Sequence, residues 1–94
     1  MILHTISTSP YTNSALSQCL KRITPEDGLL LIQDGVYAIK HQDILTELEE
    51  LSNLYLLSDD LKARAISPEN PKFKQISYEQ FVELSLHYNK VLSW

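Results

Sequence analysis

Cys19 is the only thiol of the sequence and the side chain best suited to covalent chemistry. Lys21 and Arg22 follow it closely, and nearby cations favour the thiolate, which is the reactive form of cysteine. However, Cys19 also lies beside the apolar positions Leu16 and Ile23, well inside a predicted helix, where the helix dipole lowers a thiol pKa only weakly. The sequence therefore favours a cysteine that packs as a small hydrophobic residue, with a reactive thiol as the alternative.

A second group of polar residues follows the first two predicted strands. Ser7 and Ser9 come after the first strand, and Gln33, Asp34 and Gly35 come directly after an apolar run at residues 29–32. The carboxyl ends of strands in open α/β sheets are where ligands and partners usually bind. We expect these five residues to be contact residues. The alternative is that Asp34 and Gly35 only form the turn and cap the next helix.

Several other functions do not fit the sequence. Two glycines are too few for a glycine-rich nucleotide loop or a hydrolase elbow, and no acidic pair follows the first strand as it would in a phospho-acceptor domain. A net charge of -4 argues against direct binding to nucleic acid. His4, His41 and His87 are scattered without metal-ligand spacing. We therefore predict no metal site and no cofactor.

The chain of 94 residues has room for one domain, which we place at residues 1–94. No apolar stretch reaches the ~18 residues of a membrane span, and the first residues lack the basic and apolar regions of a secretion signal. We therefore expect a cytoplasmic protein without membrane contact.

Strands and helices alternate along the sequence. We predict four strands, at residues 1–6, 29–32, 54–57 and 73–76. Between and after them we predict four helices. The first is capped by Asn13 and has a buried stripe of Leu16, Leu20 and Ile23, and the second is marked by Ile44, Leu45, Leu48 and Leu51.

The third helix covers residues 58–65, is capped by Ser58 and pairs Asp60 with Arg64. The last helix opens with a capping box of Ser77 and Gln80, and it carries Phe81, Leu84 and Tyr88 on one side with Val82 and Leu86 beside them.

This alternation predicts an α/β fold, a small three-layer domain with a mostly parallel sheet of about four strands. Gly28 ends a turn for which we expect a left-handed conformation. After the last helix the chain ends in Val91-Leu92-Ser93-Trp94, and we predict that Leu92 and Trp94 form a tail docked on this domain or on a neighbour.

Several segments resemble the TusB/DsrH family. They occur in the family's order over nearly the whole chain: Leu3-His4-Thr5, Ser9-Pro10, residues 29–38 (LLLIQDGVYA), residues 61–64 (LKAR), residues 78–84 and the final Ser93-Trp94. The sequence departs from the family at Ala65, where many members carry glycine.

The resemblance implies a DsrE/DsrF/DsrH-like fold and a subunit of a sulfur-relay complex. In that complex homologous B-type, C-type and D-type subunits form a heterohexamer, a dimer of trimers. It passes persulfide sulfur to a downstream acceptor protein, towards 2-thiolation of the tRNA wobble uridine. In the family the essential thiol belongs to the D-type subunit, so the resemblance implies that this chain is a non-catalytic structural and docking subunit. The alternative is a sulfurtransferase of dissimilatory sulfur metabolism that carries sulfur on Cys19.

Overall fold

The computed structural model describes all residues from Met1 to Trp94. The elements in chain order are β1 (Ile2–Ile6), α1 (Ala15–Leu20), β2 (Gly28–Leu31), a 3-10 helix (Gln33–Lys40), α2 (Gln42–Glu49), β3 (Leu54–Leu57), α3 (Ser58–Ala63), β4 (Lys74–Ile76), α4 (Tyr78–His87) and β5 (Lys90–Ser93). None of the helices combines the length and the apolar character that crossing a bilayer requires.

The five strands form one parallel sheet in the order β4-β3-β2-β1-β5. This confirms the predicted α/β class, with one strand more than expected. The additional strand is β5, formed by the segment that the sequence predicts to be a docked tail. Residues 90–93 pair with β1 alone, and Lys90, Val91 and Ser93 are exposed, so the segment lacks the apolar run of a central strand.

The connections place the helices on both faces of the sheet. From β1 to β4 the chain moves stepwise towards one edge, and it then returns across the sheet to place β5 beyond β1. Since crossovers between parallel strands are right-handed, the return requires α4 to lie on the opposite face from α1, α2 and α3. The packing agrees: fourteen buried residues form the core on the α1 side, whereas four form the core beneath α4.

Some local predictions are confirmed and others are wrong. The capping box of Ser77 and Gln80 is present, and Asp60 and Arg64 pair at 3.7 Å. Ser58, predicted as a cap, is instead the first residue of α3 and makes no side-chain capping bond.

The helix α1 differs from its prediction at both ends. It begins at Ala15, whose N–H donates to the Asn13 side chain at 2.7 Å, so Asn13 stands one position before the N-cap residue Ser14. It ends at Leu20, before the expected Ile23, and the Ile23 amide donates back to the Cys19 carbonyl. The apolar stripe is thus shared between a short helix and the turn after it.

The turn residues also differ from expectation. No glycine has a positive φ; Gly28 belongs to β2, where an added Cβ would collide with the Tyr88 hydroxyl. The residues with positive φ are Gln33 at 48° and Ala65 at 53°. The left-handed backbone conformation is unfavourable for a residue with a Cβ, so glycine would fit position 65 with less strain than Ala65 does.

Candidate functional site

Cys19 lies on the inner side of α1 and is completely buried in the larger core. Burial, with a smaller contribution from the negative charge of Asp27, raises the pKa of its thiol to about 11. Lys21 and Arg22 are exposed and do not offset these effects. At neutral pH the thiol is therefore protonated and out of contact with solvent, which is the opposite of a reactive cysteine.

Asp27, the charged group that acts on this thiol, is itself buried and lies directly before β2. Its carboxylate accepts hydrogen bonds from the Ile2 amide at 2.9 Å, the Thr24 amide at 3.2 Å and Nε2 of His4 at 3.0 Å. Burial opposes ionisation, but these bonds outweigh it and lower the pKa of Asp27 to about 2. A permanent negative charge therefore stands near Cys19 and disfavours a second one.

His4 connects this carboxylate to the end of the chain. Its Nδ1 accepts a hydrogen bond from the Trp94 indole at 3.0 Å, and an indole N–H can only donate. The ring proton is therefore assigned to Nε2, from which it is donated to Asp27. The result is a buried chain of hydrogen bonds from Trp94 through His4 to Asp27.

The same contacts show where the C-terminal segment lies. The Trp94 amide donates to the Thr5 carbonyl at 3.1 Å, and the indole packs against the larger core. Leu92, the other residue of the predicted tail, is half-buried beside its strand partner His4. Both residues therefore contact their own chain.

The predicted strand-end residues meet at the carboxyl edge of the sheet. The Gln33 amide donates to the Asp60 carboxylate at 2.7 Å, and the guanidinium of Arg64 pairs with Asp34 at 2.8 Å. The Arg64 guanidinium also lies 6.0 Å from the Tyr37 ring. Because each charged group has a partner, the cluster is an ion-pair clamp between the 3-10 helix that follows β2 and α3, which follows β3.

The remaining predicted contacts lie next to this clamp. Ser7 and Ser9 follow β1 and are partly exposed, and the Ser9 hydroxyl accepts the Tyr11 amide at 3.2 Å. Gly35 is buried beneath the end of β1, where a Cβ would collide with the Ile6 carbonyl. Gly35 is thus required for close packing.

Several of these partners are not evident from the sequence. The sequence predicts the pair of Arg64 with Asp60 but not with Asp34, and it does not predict that Asp27 and Trp94 both bind His4. The bond between His4 and Trp94 joins residues 90 positions apart, and that between Arg64 and Asp34 joins residues 30 positions apart. Only the sheet order, which the sequence does not give, brings them together.

Two surface cavities accompany these clusters. One of about 270 Å³ lies where α1 and α2 end and includes the acidic residues Asp27, Glu47 and Glu50. The other, of about 220 Å³, lies between the end of the 3-10 helix, α2 and the loop before β4. Cys19 lines neither cavity. The thiol therefore has no open approach.

The fold and the site together define a small parallel α/β protein with an enclosed, protonated cysteine. Residues 8–91 match the family model described as DsrH like protein, and the chain belongs to this family, the TusB/DsrH family. It is 38% identical over 96 residues to Protein TusB of Yersinia pestis (strain Pestoides F), covering 99% of this chain and 100% of that protein. Protein TusB of Yersinia pseudotuberculosis (strain IP32953) is similar to the same extent.

Two solved structures share the fold. The solution NMR structure of protein Tm0979 from Thermotoga maritima has a TM-score of 0.68 and 27% identity, and the match covers 93% of both chains. The crystal structure of the ychN protein from E. coli has a TM-score of 0.79, covering 99% of this chain and 97% of that one. Its identity is 18%, so this likeness concerns the fold alone.

Proposed function

We propose that this chain is a non-catalytic structural and docking subunit of a cytoplasmic sulfur-relay complex. Membership of the TusB/DsrH family supports a role in a sulfur relay. In the proposed complex the chain assembles with homologous C-type and D-type subunits as a heterohexamer. The complex hands persulfide sulfur to an acceptor protein on the way to 2-thiolation of the tRNA wobble uridine.

The environment of Cys19 is the observation that carries the non-catalytic assignment. To take up sulfur, a thiolate must attack the outer sulfur of a donor persulfide and release the donor thiolate. To pass the sulfur on, the new persulfide must be reached by an acceptor thiolate. Cys19 is 0% exposed and its pKa is raised to about 11, which opposes both steps.

The strand-end residues Ser7, Ser9, Gln33 and Asp34 are proposed as one contact region of this subunit. The Asp34 side chain is 59% exposed although it pairs with Arg64, so a partner can reach it without disturbing the core. Asp34→Asn should preserve the fold and weaken copurification with the homologous subunits. Copurification equal to that of the unmodified chain would remove Asp34 from the contact region.

Sulfur transfer by a reconstituted complex tests the function. The chain is coexpressed with its C-type and D-type relatives, and transfer from a persulfide donor to the acceptor protein is followed. Cys19→Ala should leave the rate within about threefold of the unmodified complex, whereas the same change at the D-type subunit's essential thiol should abolish transfer.

Two controls make the result decisive. Melting temperature and subunit stoichiometry show whether Cys19→Ala still folds and assembles. Mass spectrometry of the unmodified chain after incubation with the donor shows whether it gains one sulfur. Normal assembly with abolished transfer, together with added sulfur on Cys19, would overturn the proposal in favour of the thiol-carrying sulfurtransferase.

A further inference from the structure

His4 is a titratable side chain of the core that the proposed function does not use. It lies in the middle of β1 and is 3% exposed. Ile6, two positions later in the strand, belongs to the larger core, so the His4 ring lies on the same face of the sheet. A polar ring buried at such a place needs hydrogen-bond partners for its nitrogens.

Both ring nitrogens have a partner, and the two partners together require the neutral ring. Nε2 lies 3.0 Å from the Asp27 carboxylate, and Nδ1 accepts the Trp94 indole N–H at 3.0 Å. An indole nitrogen can only donate, so Nδ1 must be without a proton for this bond to exist. A second proton on His4 would occupy Nδ1, and two N–H donors would then point at each other.

The two bonds of His4 respond to a second proton in opposite ways. Burial opposes ionisation of Asp27, but its hydrogen bonds hold the pKa of this carboxyl at about 2. The bond to Asp27 therefore becomes a hydrogen bond between opposite charges, which is stronger than the neutral one. The bond to Trp94 is lost, because both ring nitrogens are then donors.

Trp94 is the partner that can move. It follows β5 at the edge of the sheet, is half-buried, and is held in addition by its amide, which donates to the Thr5 carbonyl at 3.1 Å. Asp27 is 8% exposed and also accepts the amides of Ile2 and Thr24. The strand β5 stays paired with β1 through its backbone. Loss of the bond to His4 thus frees the indole side chain and leaves the strand in place.

The titratable groups around His4 are mostly acidic or neutral at pH 7. They are Asp27 before β2, Cys19 in α1, Glu47 and Glu50 at the end of α2, and Tyr88 after α4. The cations are Lys90, exposed in β5 at the opposite end from Trp94, and the Met1 amino group, which binds Asn89 at 3.0 Å. The charge in direct contact with His4 is the carboxylate, which compensates for a second proton on the buried ring.

We propose that the hydrogen bond between His4 and Trp94 is a proton-sensitive contact. The neutral ring holds the indole against β1. When the ring takes up a second proton from solvent, the indole N–H loses its acceptor, the Trp94 side chain leaves the core, and Nδ1 of His4 opens to solvent. The position of Trp94 then depends on pH within this chain alone, whatever the chain assembles with.

Fluorescence and NMR test the contact in the purified protein. Trp94 is the only tryptophan, so the intrinsic emission reports its position. The protein is titrated from about pH 8 to about pH 5, where histidines change charge, and the NMR signals of the His4 ring are followed in the same samples. We expect the emission maximum to move to longer wavelength with the midpoint of the His4 ring, because the indole passes from the core into water. Circular dichroism should stay constant.

Two variants and a matched control assign the shift. His4→Gln offers a neutral donor and acceptor that take up no proton, so the shift should disappear. His87→Gln, at an exposed histidine, should keep it. Trp94→Phe removes the indole donor that favours the neutral ring, so the midpoint of the His4 titration should rise by about half to one pH unit.

Several results would overturn the contact. They are an emission maximum that stays constant while His4 titrates, a His4 ring that takes up no proton in this range, a shift that persists in His4→Gln, and a loss of circular dichroism with the same midpoint, which would show global unfolding. Trp94→Phe decides the matter if His4→Gln fails to fold, since an unchanged His4 midpoint there would show that the indole does not respond to this proton.

Discussion

The reactivity of Cys19 provides a direct test of the structure. Burial raises the pKa of its thiol from the usual 9.0 to about 11, because the anion loses its hydration while the neutral thiol loses little. Two pKa units lower the thiolate fraction at pH 7.5 about a hundredfold, from ~3% to ~0.03%. Complete burial slows the reaction further, since a reagent reaches the sulfur only when α1 opens.

An aromatic disulfide reagent measures this protection, because each thiol that reacts releases a coloured aromatic thiolate. The matched control is Ser17→Cys in a Cys19→Ala background, because Ser17 lies two positions earlier in α1 and is exposed. We expect native Cys19 to react at least about a hundredfold more slowly than the control thiol, and both to react alike in denaturant. Comparable rates in the native state would refute the enclosed thiol and the argument against a sulfur carrier.

Four further changes probe the fold. Ala65→Gly should raise the free energy of unfolding by up to about 1 kcal/mol, measured in urea, because Ala65 has a φ of 53°; a loss would contradict the left-handed conformation. Gly35→Ala should lower it by about 1 to 3 kcal/mol, since the Cβ meets the Ile6 carbonyl, and a neutral result would contradict that contact. The pKa of Asp27 in the folded protein is about 2, below its usual 3.8. Its ionised carboxylate therefore stabilises the fold above about pH 4, and this stabilisation is lost as the pH falls towards 2. The urea midpoint of Asp27→Asn should lack this pH-dependent contribution. Trp94→Phe should cost about 1 kcal/mol in the same assay, because Nδ1 of His4 loses its donor, and an unchanged midpoint would show that the bond contributes nothing.

The central strands were predictable because their pattern is local. Residues 29–32 and 54–57 are short apolar runs, which is what burial on both faces of a parallel sheet requires, and β2 and β3 occupy them to within one residue. The capping box at Ser77 is equally local. In contrast, β5 depends on its pairing with β1 at the other end of the chain, so its sequence alone indicated only a tail.

The candidate site was predictable only in part, for the same reason. The apolar neighbours of Cys19 in sequence indicated its burial correctly. The sequence also suggested that Lys21 and Arg22 would stabilise the thiolate, but both residues follow the six-residue helix α1 and are exposed, while Cys19 is buried in the core. The charge that does act on the thiol belongs to Asp27, eight positions later, which hydrogen bonds with β1 hold in place.

The enclosed thiol and the exposed position of α4 both follow from the path of the chain. Three successive crossovers towards β4 place α1, α2 and α3 on one side, and there they close over Cys19. One returning crossover leaves α4 by itself on the other side. A side-chain rotation cannot expose the sulfur, because helix and sheet enclose it together, whereas the flank of α4 is accessible without any movement. The same topology therefore encloses the thiol on one side of the sheet and leaves α4 largely exposed on the other.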